Sequence, residues 1–486
     1  MTARRNPRST DFIRPVRLRS TPSVRRRLDY RPGSYASAMT EPKAVPTGLR
    51  FGTDGVRARA GNRLDEPSVR ALGLAAAPLL GTDRVVIGRD TRESGPGLLL
   101  ALAEGLSEGG LQVVSLGVVP TPAVAHVAAT EEAAGAMVSA SHNPWYDNGV
   151  KLFSVGGLKL DDVVQSDVQA AWDAEPRRDE KSGSLNWSDD PDRAALWADA
   201  VASSVGNRSL SGLTLVVDCA NGATSTFAAD VLVRLGADVA VLHACPNGRN
   251  INENCGSSHP GDLRAAVVGA GADAGLAFDG DGDRVIAVAA DGSLLDGDDL
   301  LAVCAIDRHQ RGVLPGGTVV VTVMANLGLR RALIDHGLTV YETAVGDRYV
   351  LEALEVNGWA LGGEQSGHVI FRDLATTGDG LLTGIQALDA ARRSGQTLGE
   401  RATELMARVP QVLHAVPVSS DGVEVVAAVA EDLALAEAEL GDTGRVLVRP
   451  SGTEPVVRVM VEAYDIAEAS EVADRLVAAI ERADRI

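Results

Sequence analysis

From residue 84 onward, short Val/Ile/Leu runs alternate with stretches whose apolar positions recur at helical spacing. "RVVIG" (residues 84–88) reads as a buried strand. "PGLLLALAEGLSEGG" (96–110) reads as a helix with Pro96 at its start and glycines at its end, and "LQVVSLG" (111–117) as the next strand. This alternation predicts β-α-β units around a largely parallel sheet. The cycle recurs in "LTLVVDCANGA" (213–223) and "AGLAFDGDGDR" (274–284), each read as strand, loop, helix, and in "TVVVTVMANLGLRRALIDHG" (318–337). "GAMVSAS" (135–141) is a strand that runs straight into a loop; Asn148 and Gly149 are expected to make a second turn, and Lys151 to lie on the returning strand.

A polar stretch, "DAEPRRDEKSGSLNWSDDPD" (173–192), is an expected linker. The tail differs: two strands, "GRVLVRP" (444–450) and "VVRVMVEA" (456–463), flank "SGTEP", and an amphipathic helix is predicted over 466–483. The pattern therefore predicts three α/β domains, over 48–198, 199–297 and 298–410, and a C-terminal α+β domain over 411–486. A chain of 486 residues, too long for one core, suits that division.

Charge changes the picture at one end. Net charge is −19, yet residues 1–38 hold ten Arg, no Lys and two acids (Asp11 and Asp29), leaving the remainder at −27. So acidic a body excludes nucleic acid or an anionic membrane as its main partner. The Arg-rich, Ser-rich leader has no period, so residues 1–47 are expected to be disordered. Two origins fit it: an organellar transit peptide, or a true start at Met39. No apolar run reaches transmembrane length, and Cys219, Cys245, Cys255 and Cys304 form no CxxC pair. A reduced, cytoplasmic setting is the simpler expectation.

Candidate chemistry sits in six loops. In "DGDGDR" (279–284), Asp279, Asp281 and Asp283 alternate with glycines directly after a strand. Three carboxylates so close repel unless a cation sits among them, and hard oxygen ligands point to Mg²⁺ or Ca²⁺. Arg284 and Ala290 stand where an EF-hand needs glycine and glutamate, which excludes that motif. In "ASHNPWYDNGVKLF" (140–153), Ser141 follows a strand, with His142 beside it and Lys151 downstream; a serine near Mg²⁺ and a lysine can carry a phosphoryl group. "FGTDGVR" (51–57), "GRDTRESG" (88–95) and "GGEQSGH" (362–368) are weaker glycine-flanked loops. "RPSGTEPVVR" (449–458) offers the Arg449 fork, the Ser451 and Thr453 hydroxyls and backbone N–H groups at Gly452, a cradle for a phosphate.

Five of these loops, "FGTDGVR", "SASHNP", "DGDGDR", "GGEQSGH" and "RPSGTEP" in that order along the chain, resemble the α-D-phosphohexomutase superfamily and, within it, the bacterial phosphoglucosamine mutases, over residues 48–486. The resemblance implies three similar mixed-sheet α/β domains plus a C-terminal α+β domain around a central active-site cleft. It implies a phosphorylated Ser141 and a Mg²⁺ bound by Asp279, Asp281, Asp283 and a Ser141 phosphate oxygen. Lys151 would be general acid/base, Arg57, His142 and Arg284 charge stabilisers, and His368 a second proton carrier. Glu364, Ser366 and His368 would bind sugar hydroxyls, and Arg449, Ser451, Gly452, Thr453 and Arg458 the unreacting phosphate. The implied reaction interconverts glucosamine 6-phosphate and glucosamine 1-phosphate through a 1,6-bisphosphate, on the route to UDP-N-acetylglucosamine and cell-wall precursors, in a monomer or homodimer. A phosphomannomutase/phosphoglucomutase, a non-catalytic sugar-phosphate sensor and a Mg²⁺ phosphatase are the alternatives. One departure is visible: no glycine follows Arg57, where the family usually has one.

Overall fold

A computed structural model describes residues 48–52, 54–175, 185–451 and 455–485. The expected leader and the candidate residues Gly452 and Thr453 lie outside them.

Four sheets follow one another along the chain. The first holds β1 (Val56–Arg59), β2 (Arg84–Arg89), β3 (Gln112–Val118), β4 (Ala134–Val138), β5 (Asp147–Ser154), β6 (Leu158–Lys159) and β7 (Trp187–Asp189). Their order is β1-β5-β4-β2-β3-β7, with β6 beside β5. The second holds β8 (Thr214–Asp218), β9 (Asp238–Leu242), β10 (Ala274–Phe278), β11 (Val285–Ala289) and β12 (Leu294–Leu295), in the order β12-β11-β10-β8-β9. The third holds β13 (Thr318–Thr322), β14 (Thr339–Thr343), β15 (Leu361–Gly363) and β16 (Val369–Phe371), in the order β14-β13-β15-β16. The tail sheet is β17 (Gln411–Pro417), β19 (Val456–Glu462) and β18 (Arg445–Pro450), all antiparallel, packed against the helix Ile466–Ala483.

The first three sheets share one device. Central parallel strands, buried on both faces and rich in Val, Leu and Ala, meet an antiparallel hairpin: β4/β5, β10/β11 and β15/β16. Each hairpin turn is a candidate loop, carrying Ser141, the three aspartates or Glu364 to His368. The β18/β19 hairpin holds the same place in the tail.

Several expectations change. "DGDGDR" leads into β11, not a helix: Val285, Ile286 and Val288 are β-branched and pair back on β10 from the register Phe278↔Val285. Asn148 and Gly149 belong to β5, because pairing with β1 as well as β4 extends that strand back to Asp147. The expected linker is partly structure, since the helix Asp162–Ala174 runs into it and β7 adds an edge strand to β3. The helix Ala194–Ser203 crosses the boundary set at 198, while the helix Gly297–Gln310 begins at the one set at 297.

Packing separates the tail from the rest. One apolar cluster, including Val86, Leu116, Trp197, Leu276, Phe278, Leu301 and Phe371, runs through the first three units. Val457, Val459, Val472 and Leu476 build a core of the tail's own. No helix among the described residues is long and apolar enough to cross a membrane. All four cysteines are free thiols.

Candidate active site

Ser141 sits at φ 52°, in the left-handed region that few non-glycine residues adopt, and is 1% exposed. Its neighbours over-determine that conformation. Its N–H donates to Ser139 Oγ (2.9 Å), which itself donates to Asp90 Oδ2 (2.6 Å). Its carbonyl accepts from Arg92 Nη2 and from Asn252 Nδ2, both at 2.8 Å. Arg92, fully buried, also reaches the carbonyls of Asn143, Pro144 and Asp147, and its Nε donates to Asp90 Oδ2 (2.8 Å). The Asp90–Arg92 pair thus holds the whole loop from beneath.

The Ser141 hydroxyl donates to Asp279 Oδ2 at 2.6 Å, which joins the first domain to the second. Asp279, Asp281 and Asp283 offer oxygens within 4.8 Å of one another. Oδ1 of Asp281 and Oδ1 of Asp283 are buried with no hydrogen-bond partner, as expected of oxygens that await a cation. Burial, reinforced by Asp283 and Asp281, pushes the Asp279 carboxyl well above its ordinary range. Burial alone would raise Asp283 too, but Lys151, and then the neighbouring His368, hold it well below.

Lys151 explains much of that. Its Nζ stands 2.8 Å from oxygens of Asp54, Asp281 and Asp283, and these outweigh burial to keep it an ammonium. It is a buried charge on β5, not a solvated one. The position follows from the β1/β5 pairing, Arg57↔Gly149 and Val56↔Val150, which lays "FGTDGVR" beside it. Both glycines there are required by space: a Cβ on Gly55 would lie 2.4 Å from Val150 O, and one on Gly149 2.6 Å from Ser139 O. The lost glycine after Arg57 is thus harmless, because Ala58 continues β1.

Arg57 Nη2 bonds Asp54 Oδ2 (2.6 Å), and Arg284 Nη1 lies 3.4 Å from His142 Nδ1. Burial, then Arg284 and Arg57, lowers His142 to about 4, so its imidazole is neutral at physiological pH. His142 therefore offers a hydrogen bond, while the arginines supply charge. His368 is buried between Asp283 (Nδ1 to Oδ1, 3.7 Å) and Asp347 (Nε2 to Oδ2, 3.4 Å), which raise its pKa against the effect of burial. Glu364 accepts from Gly346 N (3.1 Å) and is raised by burial and by Asp347. Ser366 is exposed at the same turn.

Arg449 and Arg458 stand apart on the tail hairpin, directly opposite one another across β18 and β19. Burial and the Arg458 charge lower the Arg449 pKa, and its Nε is buried without a partner. Ser451 N closes the hairpin on Val456 O (2.9 Å).

Several residues escaped the sequence analysis. Asp54, Asp90 and Arg92 lie inside quoted loops but carry no spacing signal of their own. Thr121, which donates to Asp281 Oδ2 (2.6 Å), Asn252, Lys159 and Asp347 had none at all. Lys159 Nζ bonds Asp54 Oδ1 (2.8 Å) and reaches Asp347 across to the third domain.

Comparison with known proteins bears directly on this arrangement. The phosphoglucomutase/phosphomannomutase alpha/beta/alpha domains I, II and III match residues 48–179, 195–292 and 296–409, and the C-terminal domain matches 413–479. The chain belongs to the phosphoglucomutase/phosphomannomutase family. A phosphoglucosamine mutase of Thermobifida fusca is 49% identical over 435 residues, covering 88% of this chain and 96% of that protein. A phosphoglucomutase/phosphomannomutase family protein from Burkholderia thailandensis superposes with TM-score 0.75 at 27% identity, covering 89% of this chain and 97% of that one. The N-acetylphosphoglucosamine mutase of Aspergillus fumigatus, solved with GlcNAc-6P and magnesium, shares the fold at TM-score 0.64 and 18% identity, over 91% of this chain and 97% of that one. As a phosphoglucomutase/phosphomannomutase family member close to phosphoglucosamine mutases, the chain is an enzyme of the isomerase class.

Proposed function

We propose that the chain interconverts glucosamine 6-phosphate and glucosamine 1-phosphate through a phosphorylated Ser141. The observation that carries this is the 2.6 Å bond from the Ser141 hydroxyl into a buried carboxylate triad, in a chain so similar to phosphoglucosamine mutases. The orphaned oxygens of Asp281 and Asp283 suit Mg²⁺, with Asp279, Asp281 and Asp283 as its ligands. Bound there, Mg²⁺ would neutralise the phosphate on Ser141.

Phosphoryl transfer needs alignment and spread of negative charge more than new covalent chemistry. In the proposed cycle the Ser141 Oγ–P bond breaks as a bond forms from phosphorus to O1 of glucosamine 6-phosphate. Arg57 and Arg284 hold the equatorial oxygens, and neutral His142 donates or accepts one hydrogen bond. The proton lost by the sugar hydroxyl is the one Ser141 Oγ regains, with Lys151 as carrier and His368 serving the other step. The 1,6-bisphosphate turns over, its 6-phosphoryl returns to Ser141, and glucosamine 1-phosphate leaves. Glu364, Ser366 and His368 would read the sugar, while Arg449, Ser451, Gly452, Thr453 and Arg458 would grip the idle phosphate. The product would feed UDP-N-acetylglucosamine synthesis in the cytoplasm.

The test is kcat/KM for glucosamine 6-phosphate against glucose 6-phosphate, with Mg²⁺ and a trace of bisphosphate. A large preference for the amino sugar is expected. Equal or reversed preference would hand the chain to the phosphomannomutase/phosphoglucomutase activity instead, and net phosphate release would make it a phosphatase.

A further inference from the structure

A second group of metal-compatible side chains lies in the second domain, apart from the aspartate triad. Asp218 ends β8, His243 follows β9 directly, and Cys255 lies in the loop between β9 and the helix Gly261–Ala270. Their ligand atoms fall within 4.8 Å of one another, with Asp218 and Cys255 wholly buried. They converge at the carboxyl ends of two adjacent parallel strands, where open α/β sheets place their ligands.

The histidine is turned in an informative way. Its Nδ1 faces inward, 3.0 Å from Asp218 Oδ2, and is buried without a well-formed hydrogen bond. Its Nε2 faces outward to a second carboxylate, Asp262 Oδ2, at 3.4 Å. A carboxylate on the far nitrogen is what orients a metal-bound imidazole. Asp218 is itself held rigid, accepting from Ala220 N on Oδ1 and Gly256 N on Oδ2, both at 2.9 Å.

We propose that Asp218, His243 and Cys255 bind a zinc-like divalent cation, the geometry of one oxygen, one nitrogen and one sulfur ligand leaving a fourth position to solvent. Thiolate and imidazole together select a borderline-soft ion over Mg²⁺. Charge balances as well: one carboxylate and one thiolate neutralise a divalent ion. A thiol must give up its proton to become a ligand, so binding would release one proton. The site would pin the 251–256 loop to β8 and β9, and that loop carries Asn252, which donates to the Ser141 carbonyl.

The full chain carrying Cys245→Ser, to remove the exposed thiol, would be titrated with Co²⁺ under excess Mg²⁺ that fills the aspartate site. A thiolate-to-cobalt charge-transfer band that saturates at one ion per chain is expected; the aspartate triad has no sulfur and gives none. Cys255→Ser should abolish the band, and His243→Ala, at a partly exposed position, should weaken binding at least tenfold. Asp262→Asn should weaken it about tenfold, as loss of an orienting partner does. No band at micromolar Co²⁺, or a band unchanged in His243→Ala, overturns the proposal and leaves His243 as an ordinary hydrogen-bond partner of Asp218.

Discussion

Ser141, the proposed nucleophile, shows at the residue scale how position sets apart a common side chain. Its left-handed backbone costs on the order of 1 kcal/mol and is sustained by Arg92 and Asn252 on its carbonyl. Ser141→Ala should remove the 80 Da phosphoform from the intact mass and lower kcat by at least ~10³-fold; full turnover in that variant would refute the nucleophile. Arg92→Ala leaves Asp90 buried and uncompensated, so urea unfolding should show a loss of about 3–5 kcal/mol. Lys151→Met removes the ammonium that occupies Asp281 and Asp283. Mg²⁺ should therefore raise the variant's Tm more than it raises the parent's, and a smaller rise would mean that the lysine does not compete with the metal. Of these residues, only Ser141, Lys151 and the aspartates announced themselves in the sequence, because chemistry-bearing types stood close together there. Arg92 did not, since its contacts run to backbone carbonyls that no residue pattern encodes.

Among the elements, the hairpin is the recurring unit, and the sequence revealed its loops better than its second strands. "DGDGDR" stood out by its acids, whereas "VIAVA" after it is too short to distinguish strand from helix by period. The N-terminus of the helix Gly297–Gln310 adds a different property. Burial, then Asp296, raises Asp298 to about 8, and burial raises Asp299 to about 6 despite Arg408. Carboxyls whose folded pKa lies above the unfolded value stabilise the fold at low pH and lose that contribution as pH climbs through about 6 to 8. Asp298→Asn should accordingly gain stability relative to the parent between pH 5 and pH 9, read from Tm at each pH; a constant difference would show that Asp298 does not titrate there. On the tail hairpin, Arg449→Ala should raise KM severalfold while leaving Mg²⁺ affinity unchanged, and an unaltered KM would remove its phosphate role.

Across the whole molecule, one apolar cluster reaches through three domains while the fourth keeps its own, so the tail is the part expected to move most readily. Its attachment is polar: buried Glu462 accepts from Asn326 Nδ2 (2.9 Å), from Leu327 N and from Arg445, whose guanidinium also bonds the carbonyls of Val323 and Ala325. Glu462→Ala should loosen this joint, widening the solution scattering envelope and raising KM more than it lowers kcat; an unchanged envelope would mean that the joint lies elsewhere. The domain count was legible from repeated strand and helix periods, but the edge set at 198 was not, because it falls inside the helix Ala194–Ser203. Contacts that fuse domains use the same Val, Leu and Ala as contacts within them, so no composition shift marks the seam. The bond between Ser141 and Asp279 spans 138 positions of chain. At ~5–20 residues per second, a ribosome needs roughly 7–28 s to deliver the aspartate after the serine. Through that interval the serine has no acid partner, and a chain that stops short of residue 279 never acquires one. Prematurely terminated copies would therefore be inert, with no leaky hydrolysis of the cell's sugar phosphates to penalise a failed synthesis.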